Sequence, residues 1–158
     1  MKELEIRKIL CPVDFSESSK HALGYAVGFS RMCNAELEIM HVAVMPFVGL
    51  PDYPTIPDFS PEVIREYEAA CGRRLEELVE EVKADCPRVS AHLVVGVPFV
   101  EIINRAREWA ADLLVMGTHG RTGLPHVLIG SVAEKVVRKA PCPVLTVRHP
   151  EHGKFVIP

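Results

Sequence analysis

Two rhythms of apolar and polar residues alternate along this chain. Short, nearly continuous apolar runs recur, separated by segments whose apolar residues fall three and four positions apart. Ile6 to Val13 (IRKILCPV) ends in such a run, as a central parallel strand covered on both faces does. Ser16 or Ser18 then caps a predicted helix reaching about Met32, with Ala22, Ala26 and Phe29 along one stripe. Ala35 to Val44 (AELEIMHVAV) reads as the second strand. Ser60 and Pro61 open a long helix running to about Cys86, with Val63, Tyr67, Ala70, Cys71, Leu75, Leu78 and Val82 on its apolar side. Its other face is Glu, Arg and Lys, the composition of a solvated surface.

The rhythm repeats in the second half. Val89 to Val95 is a third strand and Gly96-Val97-Pro98 a turn. Phe99 to Ala110 is a helix burying Val100, Ile103 and Ala106, with Trp109 near its end. Leu113 to Met116 is the fourth strand and Ser131 to Lys139 the fourth helix, with Arg138 and Lys139 favourably placed in its last turn. Val144 to Val147 closes the series as a fifth strand. Strands alternating with helices in this way predict a doubly wound α/β domain with a mainly parallel sheet, one domain over residues 1–158. Right-handed crossovers then put ligand chemistry at the carboxyl ends of the strands, near the switch point. Two segments stand outside the pattern. Residues 45–61 carry Pro46, Pro51, Pro54, Pro57 and Pro61 among large side chains and read as an ordered excursion over the domain's edge or a partner. The tail, 149–158, contains Phe155, Val156 and Ile157, apolar enough to pack on something.

Composition narrows the class. Apolar residues make up 48% and charged residues 25% of 158, with a net charge of -3, so a soluble fold with a real core is expected. That charge, without a Lys/Arg cluster, gives no footprint for nucleic acid. Cys11, Cys33, Cys71, Cys86 and Cys142 are odd in number and form no C-x-x-C, which argues against a disulfide framework or zinc site and for a reducing, cytoplasmic setting. No secretory leader pattern is seen, and no apolar run approaches the length of about 18 residues needed to span a bilayer.

The candidate chemistry gathers after the fourth strand. Gly117 and Gly120 bracket Thr118-His119, and Gly130-Ser131 opens the next helix after nine intervening residues. Strand, small-residue loop and helix start can make an anion pocket: glycine lets the backbone approach, and helix N–H groups, the Ser131 hydroxyl and Arg121 supply donors. A tight connection whose glycines serve only turns and helix–sheet packing accounts for the same spacing. Asp14, at the end of the first strand, can accept bonds from ribose hydroxyls or help hold a metal beside phosphates. Equally, it can cap the following helix through the N–H groups of residues 16 and 17. The segment after the first strand, DFSESS, is not a dinucleotide fingerprint, and no lysine follows Gly130 as in a P-loop, so efficient NTPase chemistry is not expected. No nucleophile elbow or triad spacing is present. His119 and His126 read as solvent-exposed loop histidines, His41 as packed and hydrogen-bonded, His149 and His152 as an incidental pair, and Cys142 as structurally buried.

Taken together, KILCPVDFSESSKHAL, MGTHGRTG…IGSVAEKVV and CPVLTV resemble the universal stress protein family from about Ile6 to Val147. The spacing of Gly117, Gly120, Gly130 and Ser131 matches that of its nucleotide-binding members. The resemblance implies a five-stranded parallel sheet of order 3-2-1-4-5, Rossmann-like, usually homodimeric, with ATP at its carboxyl edge; the short C-terminal strand Val144 to Val147 is an edge that pairing with a second copy would cover. Pro12, Val13 and Asp14 would line the adenosine half, Val42 would meet the adenine edge through its backbone, and Met116 and Gly117 would form the floor. Gly120, Gly130, Ser131 and Val132 would surround the phosphates, with Thr118, His119 and Arg121 nearby. It also implies Mg2+ or Mn2+ held mainly by the phosphates, hydrolysis slow or absent, and a stress-response role exerted on a regulated protein partner. Relatives in the superfamily bind AMP. A slow metal-dependent ATPase or phosphotransferase using Asp14, and a nucleotide-free dimeric adaptor, are the alternatives.

Overall fold

Strand and helix alternate throughout the computed structural model, which describes residues 5–44, 60–118 and 129–150. In order these are β1 (Lys8–Pro12), α1 (Glu17–Cys33), β2 (Glu36–Ala43), α2 (Pro61–Val82), β3 (Val89–Val95), α3 (Pro98–Glu108), β4 (Leu113–Gly117), α4 (Ser131–Lys139) and β5 (Val144–Val147). The strands form one sheet of order β3-β2-β1-β4-β5, every neighbouring pair parallel. The expected order is therefore observed. The proline-rich segment, apart from Ser60 and Pro61, and the tail beyond Pro150 lie outside the described residues.

Both faces of the sheet are covered, and the pleat decides which residue goes where. Successive side chains point to opposite faces. Ile9, Cys11, Leu113 and Val115 join the cluster under α1 and α2, with Ala22, Ala26, Leu75 and Leu78. Leu10, Leu114 and Met116 join the cluster under α3 and α4, with Ile102, Ala106, Ala133 and Val136. This double covering is why the strands read as apolar runs and not as alternating patterns.

Several boundaries and buried faces differ from expectation. The second long helix stops at Val82, because the N–H groups of Asp85 and Cys86 both turn back to the Val82 carbonyl, at 3.0 and 2.9 Å, and Pro87 follows. Val63, in its first turn, is 45% exposed; full burial along this helix starts at Cys71. On α3 the buried residues are Ile102, Ile103 and Ala106, with Phe99 packed against them and Val100 only half-buried. The stripe runs 99, 102, 103, 106, the three-and-four spacing of one helix face.

The pattern concealed one buried charge. Glu38 lies in the middle of β2, only 4% exposed, on the α3 side. Arg105 reaches it from α3 in a two-pronged bridge, Nε to Oε1 at 2.7 Å and Nη2 to Oε2 at 2.6 Å. The hydrogen bond with Glu38 holds the guanidinium pKa above its ordinary value. Bidentate geometry is what makes such a pair tolerable away from water.

Candidate functional site at the carboxyl edge of the sheet

A crevice opens where β1 and β4 part. Their ladder pairs Ile9 with Leu113 and Leu10 with Leu114 and goes no further, although β1 continues to Pro12 and β4 to Gly117. β1 instead stays with β2: Pro12 pairs Met40, and the Val13 N–H donates to the Met40 carbonyl at 2.7 Å. Past that bond β2 runs on through His41 and Val42 without β1 beside it. Backbone groups in a parallel strand alternate sides, so the N–H and C=O of Val42 face the β1 side, as those of Met40 do. The Val42 side chain itself is core, 8% exposed.

The turn from β1 into α1 is built by serines around one carboxylate. Asp14 Oδ1 accepts from the Ser16 N–H at 3.1 Å and from the Ser16 hydroxyl at 2.5 Å. Ser16, not Ser18, is the helix cap, its hydroxyl oxygen accepting from the Ser19 N–H at 3.2 Å. The Ser19 hydroxyl in turn donates to the Ser16 carbonyl and accepts from the Asp14 N–H. Asp14 thus does half of what capping predicted: it holds the N–H of residue 16 and orients the residue that caps. One carboxylate oxygen committed to a serine hydroxyl makes Asp14 a fixed acceptor more than a mobile base.

Phe15, which the sequence did not single out, takes a left-handed backbone, φ 64°. A bulky residue there is strained by about 1 kcal/mol or more. Its ring stacks against His41, centroids 4.3 Å apart, and lies under the Arg74 guanidinium at 4.2 Å, contacts that offset the strain. His41 is buried and its Nδ1 bonds the Val13 carbonyl at 2.7 Å, as expected of a packed, hydrogen-bonded histidine. Asp14, Phe15 and Ser16 face Tyr67, Ala70, Cys71 and Arg74 of α2 across a cavity of about 250 Å³. A left-handed phenylalanine has no sequence signature, because only the surrounding contacts hold it.

On the β4 side two glycines do different work. The Gly130 N–H donates to the Thr118 carbonyl at 2.6 Å, so the loop closes and α4 starts at the end of β4. Gly130 is the cap residue of α4 and offers no side chain to its first turn. Of the other two helices that start at this edge from described turns, α1 has a side-chain cap bond and α3, like α4, has none. α1 has the Ser16 hydroxyl, and at α3 the Glu101 carboxylate folds back to within 2.7 Å of where a Gly96 side chain would begin. Gly117 is held by packing: a Cβ there would stand 2.8 Å from Ser18 Oγ and 3.0 Å from the Ser18 carbonyl oxygen. Gly117→Ala should therefore force α1 off β4 and lower stability by about 1–3 kcal/mol, read as a lower midpoint in urea. Because one of the clashing atoms is backbone, adding Ser18→Ala should recover only part of the loss.

Pro12, Val13, Asp14, Val42, Met116, Gly117, Thr118, Gly130, Ser131 and Val132 all belong to the ends of β1, β2 and β4 or the start of α4. His119, Gly120, Arg121 and His126 lie outside the described residues. Among the described residues no His, Cys, Asp and Glu group is arranged to hold a metal. No helix among them is long and apolar enough to cross a membrane. Burial pushes the Cys11 thiol up to about 12, which removes it as a thiolate nucleophile at neutral pH. Cys142 is half-buried and not fully buried, its thiol raised by the same cause and then by the Asp112 carboxylate.

The sequence model of the universal stress protein family matches residues 5–148, from before β1 to past the end of β5. The chain belongs to the universal stress protein family. A universal stress protein of Methanocaldococcus jannaschii, MJ0531, is 37% identical over 92% of this chain and 84% of its own length. A second from that organism, MJ0577, is 30% identical over 90% of this chain and 94% of its own. The solved structure of MJ0577 superposes with a TM-score of 0.65 over 91% of this chain and 96% of that one. A universal stress protein crystallised in complex with cAMP superposes at 0.68, 26% identical over 91% of this chain and 98% of that one. The present universal stress protein shares their architecture across nearly its whole length.

Proposed function

We propose that this universal stress protein binds an adenine nucleotide, ATP in the first instance, at the crevice between β1 and β4. The observation that carries the reading is the start of α4, where a glycine-capped helix end is tied by the Gly130–Thr118 bond to the mouth of that crevice. First-turn N–H groups and the positive end of the helix dipole favour a phosphate there. Gly130, Ser131 and Val132, with Gly120, would surround the phosphates, and Thr118, His119 and Arg121 would lie nearby. Pro12, Val13 and Asp14 would take the adenosine half, Val42 the adenine edge through its backbone, and Met116 and Gly117 the floor. A universal stress protein of this fold crystallised in complex with cAMP supports an adenine nucleotide as the ligand.

Turnover, if any, is slow in this reading. Asp14 is committed to Ser16, and Mg2+ or Mn2+ would be held mainly by the phosphates, its charge offsetting theirs. The whole chain acts as one domain and pairs through β5, a sheet edge whose Val144, Leu145 and Thr146 are only half-buried. Free thiols throughout suit a cytoplasmic setting, and nucleotide occupancy would regulate a protein partner. The test is direct: denature the purified protein and run the supernatant on nucleotide chromatography, then titrate the emptied protein with ATP and AMP by calorimetry. An adenine nucleotide released and rebound is expected. No release and no heat would reject the reading.

A further inference from the structure

Phe15 and His41 each stand one residue from an arm of the adenosine half of the crevice: Phe15 follows Asp14, and His41 precedes Val42. Their rings meet at 4.3 Å, and His41 Nδ1 bonds the Val13 carbonyl at 2.7 Å, so one ring pair ties the ends of β1 and β2 together. The pair needs support from outside, because Phe15 holds a left-handed backbone, φ 64°, that a bulky residue leaves when it can. Arg74 supplies that support from α2, its guanidinium 4.2 Å from the centre of the Phe15 ring. The placement is specific. Arg65 and Lys83 on the same helix pair with glutamates three residues away, whereas Arg74 has Glu77 at that spacing and goes to the ring. Beside it Tyr67, Ala70 and Cys71 face the turn across the cavity of about 250 Å³, which gives the ring room to turn once the guanidinium is gone.

We propose that Arg74 is a positioning residue for the nucleotide, holding Asp14 and Val42 in place through Phe15 and His41. The role rests on the crevice being the nucleotide site. Arg74 itself touches no part of the ligand. Without its guanidinium the turn spends part of its time in a relaxed backbone that carries Asp14 away from the ribose. Apparent affinity then falls in proportion to the time lost from the binding conformation. The phosphate half, built on the start of α4, is untouched, so every adenine nucleotide loses the same factor.

Calorimetry on the emptied full chain, with ATP and with AMP, tests this. Arg74→Ala should weaken both about fivefold, the worth of an exposed cation over a ring. Arg74→Lys, which keeps a cation over the ring, should recover most of the loss. In a Phe15→Gly chain, where the backbone is unstrained and the ring is gone, Arg74→Ala should change nothing further. Leu78→Ala, which loosens the core side of α2 one turn on, should lower the urea midpoint and leave both affinities as they were. Full affinity in Arg74→Ala would overturn the proposal, and so would an equal loss in Leu78→Ala. A loss greater for ATP than for AMP, or one that persists in the Phe15→Gly chain, also overturns it, because the guanidinium then acts on the ligand directly. An unsubstituted chain that binds neither ligand rejects the nucleotide reading itself, and this role with it.

Discussion

Gly130→Val should abolish the proposed nucleotide binding and leave the protein folded. The expected loss is at least about 100-fold in affinity, or about 2.7 kcal/mol, by calorimetry with ATP. Backbone strain does not enter: Gly130 sits at φ -70° and ψ 155°, extended backbone open to valine. Its N–H keeps the Thr118 carbonyl in the variant, so the loop still closes and α4 still starts where it does. As helix caps, valine ranks below glycine, so the stability cost should stay near 1 kcal/mol or less. What changes is the space in front of the first turn of α4, where a branched side chain would stand between the N–H groups and a phosphate. Unchanged ATP affinity in a folded variant would move the phosphate site elsewhere.

Arg105→Ala should produce the largest loss of stability, about 3–5 kcal/mol, measured by urea denaturation. That is a large share of the about 5–15 kcal/mol that holds a domain of this kind together. The reason is the partner left behind: the carboxyl of Glu38, 4% exposed in the second strand of the sheet, would stay buried without the two hydrogen bonds that Arg105 supplies. Replacing both residues, Glu38→Leu with Arg105→Leu, should recover most of the loss, because no charge then needs a partner. A double variant as unstable as the single one would mean that packing of the arginine stem, not the ion pair, carries the effect. Nucleotide binding by the double variant should be unchanged, since the pair lies under α3 and away from Asp14 and Gly130.

Together the two predictions separate what was legible in the residues from what was not. The glycine spacing was legible because turns, caps and close backbone approach are local demands, met within a few residues of Gly117 and Gly130. Half of its meaning was not. Gly117 is required by the carbonyl and hydroxyl of Ser18, a residue 99 positions earlier, so this glycine serves the packing that the plainer account of the spacing invoked. Gly130 has no side chain to close its helix and stands at the open end of the β1–β4 ladder. Asp14 divides in the same way. Its position at a strand end was readable, whereas its commitment to Ser16, and the strained Phe15 beside it, follow from how the turn packs on His41 and Arg74.

By itself the sequence determined the type and order of the elements among the described residues, including the exact limits of β3, α4 and β5. Hydrophobic periodicity is a property of neighbouring residues, and a sheet covered on both faces imprints it on its central strands. Only the tertiary structure decided that Glu38 faces inward to a partner 67 residues away and that Ser16 caps where Ser18 packs. It also decided that β1 leaves β4 after Leu10 to open the crevice. Each of these depends on contacts between segments far apart in the chain, and such contacts exist only once the sheet has assembled.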